Sequence, residues 1–233
     1  MKLKFLTLKR KSIFAVLLCA LLVGGACGTF FAVRAVASPK PVHTIVIDAG
    51  HGGKDGGAVG RNSKISESEL NLAYSKTLKK ICESYGFKVV LTREDMNGLY
   101  SPLASNKKRS EMEKRKEIIE GAKADLVVSI HMNSFPSSEA RGSQVYYAEG
   151  STSGQSLAEN VSKRLHSQIE HAKLTAKVGD FFVLNTSPCA AILVECGFLS
   201  NPEEEVLLQE EEYCNKFCYA LFCGILTYFN NIE

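Results

Sequence analysis

Residues 44–60 read TIVIDAGHGGKDGGAVG. Four β-branched residues, Thr44 to Ile47, lead into Asp48, and six glycines then surround the single imidazole of His51. A continuous β-branched run that ends at glycine reads as a strand buried on both faces, the kind found in parallel sheets. The glycines let the following loop fold tightly and leave room for a ligand beside the one ring it keeps.

Strand and helix patterns alternate from there to the end of the chain. SELNLAYSKTLKKICESYG has helical spacing at Leu70, Ala73, Leu78 and Ile81 and stops at a glycine. FKVVLTRE is a second strand, SNKKRSEMEKRKEIIEGA a charged amphipathic helix, ADLVVSIH a third strand and GSQVYYAEG a fourth. SGQSLAENVSKRLHSQIEHA then reads as a helix and GDFFVLN as a short extended piece. AAILVECG is another buried strand, followed by a short acidic helix and an apolar one. This order predicts an α/β fold: a single domain with a mostly parallel twisted sheet of about six strands, flanked by helices.

An N-terminal apolar segment precedes that domain. Met1–Lys11 carries five basic residues and no acid, and residues 12–33 carry no charge at all. Twenty-two uncharged residues are long enough to span a bilayer, and the basic flank directs the rest of the chain outward. An uncleaved anchor fits the length of the run, while Ala35-Val36-Ala37 offers the small-x-small pattern of a signal-peptide cleavage site. Both readings export the domain. The expected division is therefore 1–40, signal peptide or membrane anchor with linker, and 41–233, the folded domain.

The formal net charge of +3 becomes −2 once the five N-terminal cations are set aside. So neutral a body argues against a nucleic-acid partner, and Lys107-Lys108-Arg109 reads as a solvated helix face. The eight cysteines include no CxxC pair, so they read as small buried hydrophobes and not as a thiolate zinc site.

Polar chemistry gathers where the buried strands end. His51 follows TIVIDAG, His131 ends DLVVSI and Glu195 ends AAILV. In open α/β sheets ligands bind beyond the carboxyl ends of strands, so residues remote in sequence converge there. A glutamate at the start of the helix after the glycine loop can face the same cleft, and the SESEL spacing allows Glu67 or Glu69. Two imidazoles and one carboxylate make a catalytic zinc set with a fourth position for water, and Glu195 is left to move protons. A phosphate cradle is excluded, because GHGGKDGG lacks G-x-x-x-x-G-K-[ST] and opens no helix directly. His43, His166 and His171 read as ordinary linker and surface histidines.

Taken in order, IDAGHGGKDGGAVG, ESELNL, LTRE, the helix bearing Arg115, SIHMNS and LVECGFLSNPEEE resemble the zinc-dependent N-acetylmuramoyl-L-alanine amidases of bacterial cell walls. The resemblance spans residues 43–230. It implies one Zn2+ per chain held by His51, Glu67 (not Glu69) and His131, with Glu195 as the catalytic glutamate. It implies hydrolysis of the amide between the lactyl group of N-acetylmuramic acid and L-alanine, with peptidoglycan as substrate.

Asn185 departs from an arginine found in many relatives, which bears on substrate preference. Only 64 positions separate His131 from Glu195, too few for the long regulatory helix of some septal relatives. With no wall-binding repeats, the chain resembles most the spore-cortex, germination-specific branch, which makes muramic lactam. The resemblance thus implies an exported enzyme at the outer face of the cytoplasmic membrane or in the wall or cortex space. Its expected partners are the membrane, through the N-terminal segment, and an accessory targeting or activating protein. The rival expectations are a non-catalytic wall-binding module and a zinc peptidase cutting within the stem peptide.

Overall fold

The computed structural model describes residues 43–232. The apolar segment, its linker, Cys19 and Cys27 lie outside the described residues, and so does the expected anchor or signal peptide. Strands β1 (Thr44–Ala49), β2 (Lys88–Leu91), β3 (Leu126–Asn133), β4 (Gln144–Tyr147), β5 (Lys177–Val178) and β6 (Ala190–Phe198) form one six-stranded sheet in the order β2-β1-β3-β6-β4-β5. Every neighbouring pair is parallel except β4 with β6. The α/β reading of the sequence therefore holds.

The helices are α1 (Glu67–Ser84), α2 (Lys107–Ala122), α3 (Thr152–Gln168), α4 (Phe182–Thr186), α5 (Pro202–Leu207) and α6 (Glu211–Ile232). Alternate residues of each strand feed two cores. Ile45 and Ile47 of β1 pack in the larger one with Leu70, Tyr74 and Leu78 of α1, Leu157 and Val161 of α3, and Phe217, Leu221 and Phe222 of α6. Val46 points the other way, into a smaller core with Ile119 of α2 and Val183 and Leu184 of α4. Cys82, Cys196, Cys214 and Cys218 are buried free thiols in the larger core, as their apolar surroundings in the sequence predict.

The segment GDFFVLN differs from the extended piece expected of it. Backbone N–H groups of Leu184 and Asn185 both donate to the Phe181 carbonyl at 3.0 Å, closing a helical turn. The reason is packing: Val183 and Leu184 are adjacent and both buried in the smaller core. An extended chain would send neighbours to opposite sides, whereas a helical turn directs both inward.

Topology also opens the cleft. The chain leaves β1 for β2 on one side and leaves β3 for the far side beyond β6. Diverging connections part the loops at the carboxyl ends of β1 and β3, and this is where ligands enter such sheets.

Candidate active site

His51 is the second residue past β1, and its backbone is left-handed, with φ 60°. That conformation costs a non-glycine residue about 1–2 kcal/mol, so the surroundings must hold it. Two arginines do. Arg93 donates from Nε to the Ala49 carbonyl (3.0 Å) and from Nη2 to the Gly50 carbonyl (3.0 Å). Arg115 donates from Nη1 to Ala49 O (2.8 Å) and from Nη2 to His51 O (2.6 Å). Both side chains are 2–3% exposed residues.

Arg115 in turn is bound to the carboxylates of Asp48 and, at 2.7 Å, Glu111. Burial alone would raise the Asp48 pKa, but the Arg115 guanidinium and the hydroxyls of Ser129 and Thr92 outweigh it and hold it at about 2. This explains the charge of α2. Glu111, Arg115 and Ile119, four residues apart, are its buried face, and the first two are polar because that face covers Asp48.

Glu67 is the first residue of α1 and is almost fully buried. Its Oε2 accepts the Ala58 N–H at 2.8 Å, and its Oε1 accepts Asn71 Nδ2 and Met132 N–H at 3.2 Å each. Oε1 also lies 2.9 Å from His131 Nδ1 and 3.2 Å from His51 Nε2. One ligand atom from each of His51, Glu67 and His131 falls within 4.8 Å of the other two. Donors about 2.0–2.2 Å from a tetrahedral ion sit roughly 3.4 Å apart, so the trio fits a divalent cation of the zinc type. The imidazoles outweigh burial and hold the Glu67 carboxyl far below its usual range, while Glu67 and Asp55 likewise raise His51.

Glu69 goes elsewhere. Its carboxylate accepts the Ser66 N–H (2.9 Å) and hydroxyl (2.8 Å), closing a capping box on α1. Three positions into the helix, it can reach back to the cap, whereas the first position faces the cleft.

Glu195 is the cross-strand neighbour of His131 in the parallel β3–β6 pair. Its Oε2 is buried and has no hydrogen-bond partner among the described residues. Burial foremost, together with the charge of Glu67 and against the pull of the imidazoles, pushes its pKa up to about 7. A carboxyl balanced there can take a proton and return it at neutral pH.

Two glycines are dictated by this packing. A Cβ on Gly50 would stand 2.3 Å from His131 Cε1, and one on Gly57, whose φ is +68°, would stand 2.4 Å from Glu67 Oε2. The trio opens into a cavity of about 320 Å³ bounded by Met112, Phe181, Phe182 and Asp180 among others. Asn185 is exposed and donates from Nδ2 to Asp180 Oδ1 at 2.6 Å, so it touches the cavity wall through Asp180. His43 stacks on Phe229, and His166 Nδ1 lies 2.8 Å from the Ala172 carbonyl, both away from the trio.

Sequence reasoning missed Asp55, Asn71 and Arg93 as parts of the site and treated Arg115 only as a landmark of its helix. Asp55 Oδ1 lies 2.9 Å from His51 Nδ1, off the line of a full hydrogen bond, and Asp55 Oδ2 accepts Lys108 Nζ at 2.7 Å. Asn71 spans Gly50 O and Glu67 Oε1. The available signal was the polar residue at 71 on the apolar face of α1, four positions after Glu67.

A partly buried two-histidine, one-carboxylate group at the mouth of a mostly parallel sheet, beside a glutamate able to exchange protons, defines the class as a hydrolytic α/β enzyme with a candidate metal centre. The comparison with known families narrows this: residues 45–227 match the model of N-acetylmuramoyl-L-alanine amidase (Amidase_3), and the chain belongs to that family. It is an N-acetylmuramoyl-L-alanine amidase. The germination-specific N-acetylmuramoyl-L-alanine amidase of Bacillus subtilis (strain 168) is 31% identical over 189 residues, 79% of each chain. The CwlD amidase of Clostridioides difficile, solved in complex with the GerS lipoprotein, is 34% identical with a TM-score of 0.77, over 81% of this chain and 99% of that one. The catalytic domain of CwlV from Bacillus (Paenibacillus) polymyxa var. colistinus gives 33% and 0.72, over 81% and 99%.

Proposed function

We propose that the chain hydrolyses the lactyl–L-alanine amide of peptidoglycan with one Zn2+ held by His51, Glu67 and His131, and with Glu195 as the proton-transfer group. The observation that carries this reading is the approach of three ligand atoms to within 4.8 Å of one another beside a buried, unpartnered carboxyl oxygen. When bound, zinc supplies Lewis acidity, polarising a carbonyl and acidifying water. Asn71, Ala58 N–H and Met132 N–H hold the Glu67 carboxylate in place, and the two arginines fix the His51 backbone. Glu195 Oε2 takes a proton from the attacking water. As the C–N bond breaks, it passes that proton to the departing L-alanine nitrogen, so that one water is added across the amide.

The test is Glu195→Gln. Zinc content should stay at one per chain while turnover of purified peptidoglycan falls by a factor of about a hundred or more. Full activity of this variant would refute the role. Mass spectrometry of the products should find free L-alanine amino termini; new termini further along the stem would reveal a peptidase instead.

The finer physiological reading is a role in spore-cortex maturation, forming muramic lactam for germination. It is supported by the names of relatives, the germination-specific amidase and CwlD. The accessory lipoprotein solved with CwlD supports a partner that targets or activates this chain as well. Residues 1–40 serve as an export signal or anchor for a catalytic domain of residues 41–233, acting outside the cytoplasmic membrane. The uncharged run at 12–33 supports this, and membrane flotation of the full chain checks it.

A further inference from the structure

A second cavity of about 430 Å³ lies on the β4–β5 side of Glu195, lined by Asn133, Phe135, Gln144, Tyr146, Lys177 and Phe198. Strand register fixes its place. Gln144 of β4 is the cross-strand partner of Glu195, and Lys177 of β5 is the partner of Tyr146. Cross-strand partners share a face, and Tyr146 packs on the smaller core, the face that carries His131 and Glu195. The two cavities therefore flank Glu195 on one side of the sheet.

Their charges differ. Lys108 and Arg115, which line the first cavity, are each bound to a carboxylate, and Asp180 adds another acid there. Lys177 is exposed in the second cavity and makes no ion pair among the described residues. The substrate is asymmetric in the same sense. Around the scissile amide the glycan side offers neutral hydroxyl and acetamido groups, whereas the stem peptide carries free carboxylates, the first on its acidic second residue.

Distance agrees. Neighbouring strands are about 4.8 Å apart, which puts β5 roughly 10 Å from β6. Lys177 is level, through Tyr146, with Leu193, two positions before Glu195. The Cα atoms of Lys177 and Glu195 are thus about 12 Å apart, a span that a long lysine side chain and two extended peptide residues of about 7 Å together cover. We propose that this second cavity is the stem-peptide subsite, and that Lys177 pairs with the carboxylate of the second stem residue. Phe135 forms an apolar rim beside it, 55% exposed. This assignment rests on the amidase reading above.

The experiment uses the full zinc-loaded chain and two muropeptides that differ only at the second residue, one with a free carboxylate and one with the corresponding amide. The wild type should favour the acidic substrate by about fivefold in kcat/KM, the worth of a partly exposed ion pair. Lys177→Ala should abolish that preference by raising KM for the acidic substrate alone, with kcat kept, and Lys177→Arg should retain it. A preference that survives Lys177→Ala would overturn the subsite, as would an equal fall in kcat on both substrates. No turnover of either substrate by the wild type would overturn the amidase reading and the subsite with it.

Discussion

His51, one of the three proposed metal ligands, is held in place at the cost of backbone strain. Its left-handed backbone is strained, and four side chains (Arg93, Arg115, Asn71 and Asp55) act on it or on the carbonyls beside it. Such partners of a metal ligand typically change affinity by 10–100-fold when removed. Asp55→Asn should therefore weaken zinc binding by about tenfold or more, measured by competition with a chromophoric chelator, while the far-UV spectrum stays unchanged. Unaltered affinity would show that Asp55 serves only Lys108. Gly50→Ala is expected to be more severe, because the new methyl would collide with the His131 ring at 2.3 Å. That ring is held by its strand and cannot withdraw without leaving Glu67.

At the scale of elements, the two helices that look most polar in sequence turn out to be fasteners. Helix α2 presents Arg115 inward to neutralise Asp48 at the end of β1, with Glu111 holding the same guanidinium. Arg115→Met would leave Asp48 buried and unpaired, a loss of about 3–5 kcal/mol. At about 2–4 °C per kcal/mol for a domain of this size, the midpoint should drop by roughly 10 °C in calorimetry. The short α5 uses adjacent glutamates on different loops. Glu204 accepts the N–H groups of Gly142 (2.8 Å) and Phe198 (2.7 Å), and Glu205 accepts those of Asn62 (2.9 Å) and Ser63 (2.7 Å). Glu205→Ala frees the loop that leads into Glu67 and strands two N–H donors. A destabilisation of about 1–3 kcal/mol should follow in urea titration; a change near zero would mean that water replaces the carboxylate.

The domain of residues 43–232 is a sheet covered on both sides, with its polar machinery gathered at the carboxyl ends of the strands. Acid should attack it through its depressed carboxylates, Asp48 among them. The Asp48 pKa is about 2 in the folded chain against an ordinary 3.8. A lowered folded pKa gives stability that is complete above pH 4 and disappears as the pH falls through 4 toward 2. The group accounts for about 2 kcal/mol of that loss. Unfolding free energy measured between pH 6 and 2 should show it, and Asp48→Asn should flatten the slope. An unchanged slope in that variant would assign acid sensitivity to other carboxylates.

Much of this architecture was readable in advance because its signals are local. The β-branched run of β1, the glycines after it, and the imidazoles and carboxylate at strand ends depend only on neighbours in the chain, so the α/β class and the residues His51, His131 and Glu195 could be picked out. Other features could not. Whether Glu67 or Glu69 entered the cleft depended on which helical position met the cap at Ser66, and family resemblance had to supply the choice. GDFFVLN curled because Val183 and Leu184 found one core, a contact that no seven-residue window contains. The polar lining built by Asp55 and Arg93 is likewise invisible in sequence, since each reads as an ordinary surface group until the carbonyl or imidazole it meets is in place. The amino-acid sequence by itself determined which chemical groups stand at the ends of which strands. The tertiary structure alone decided that they meet, because strand order and register, not separation along the chain, set the distance between positions 51, 67, 131 and 195.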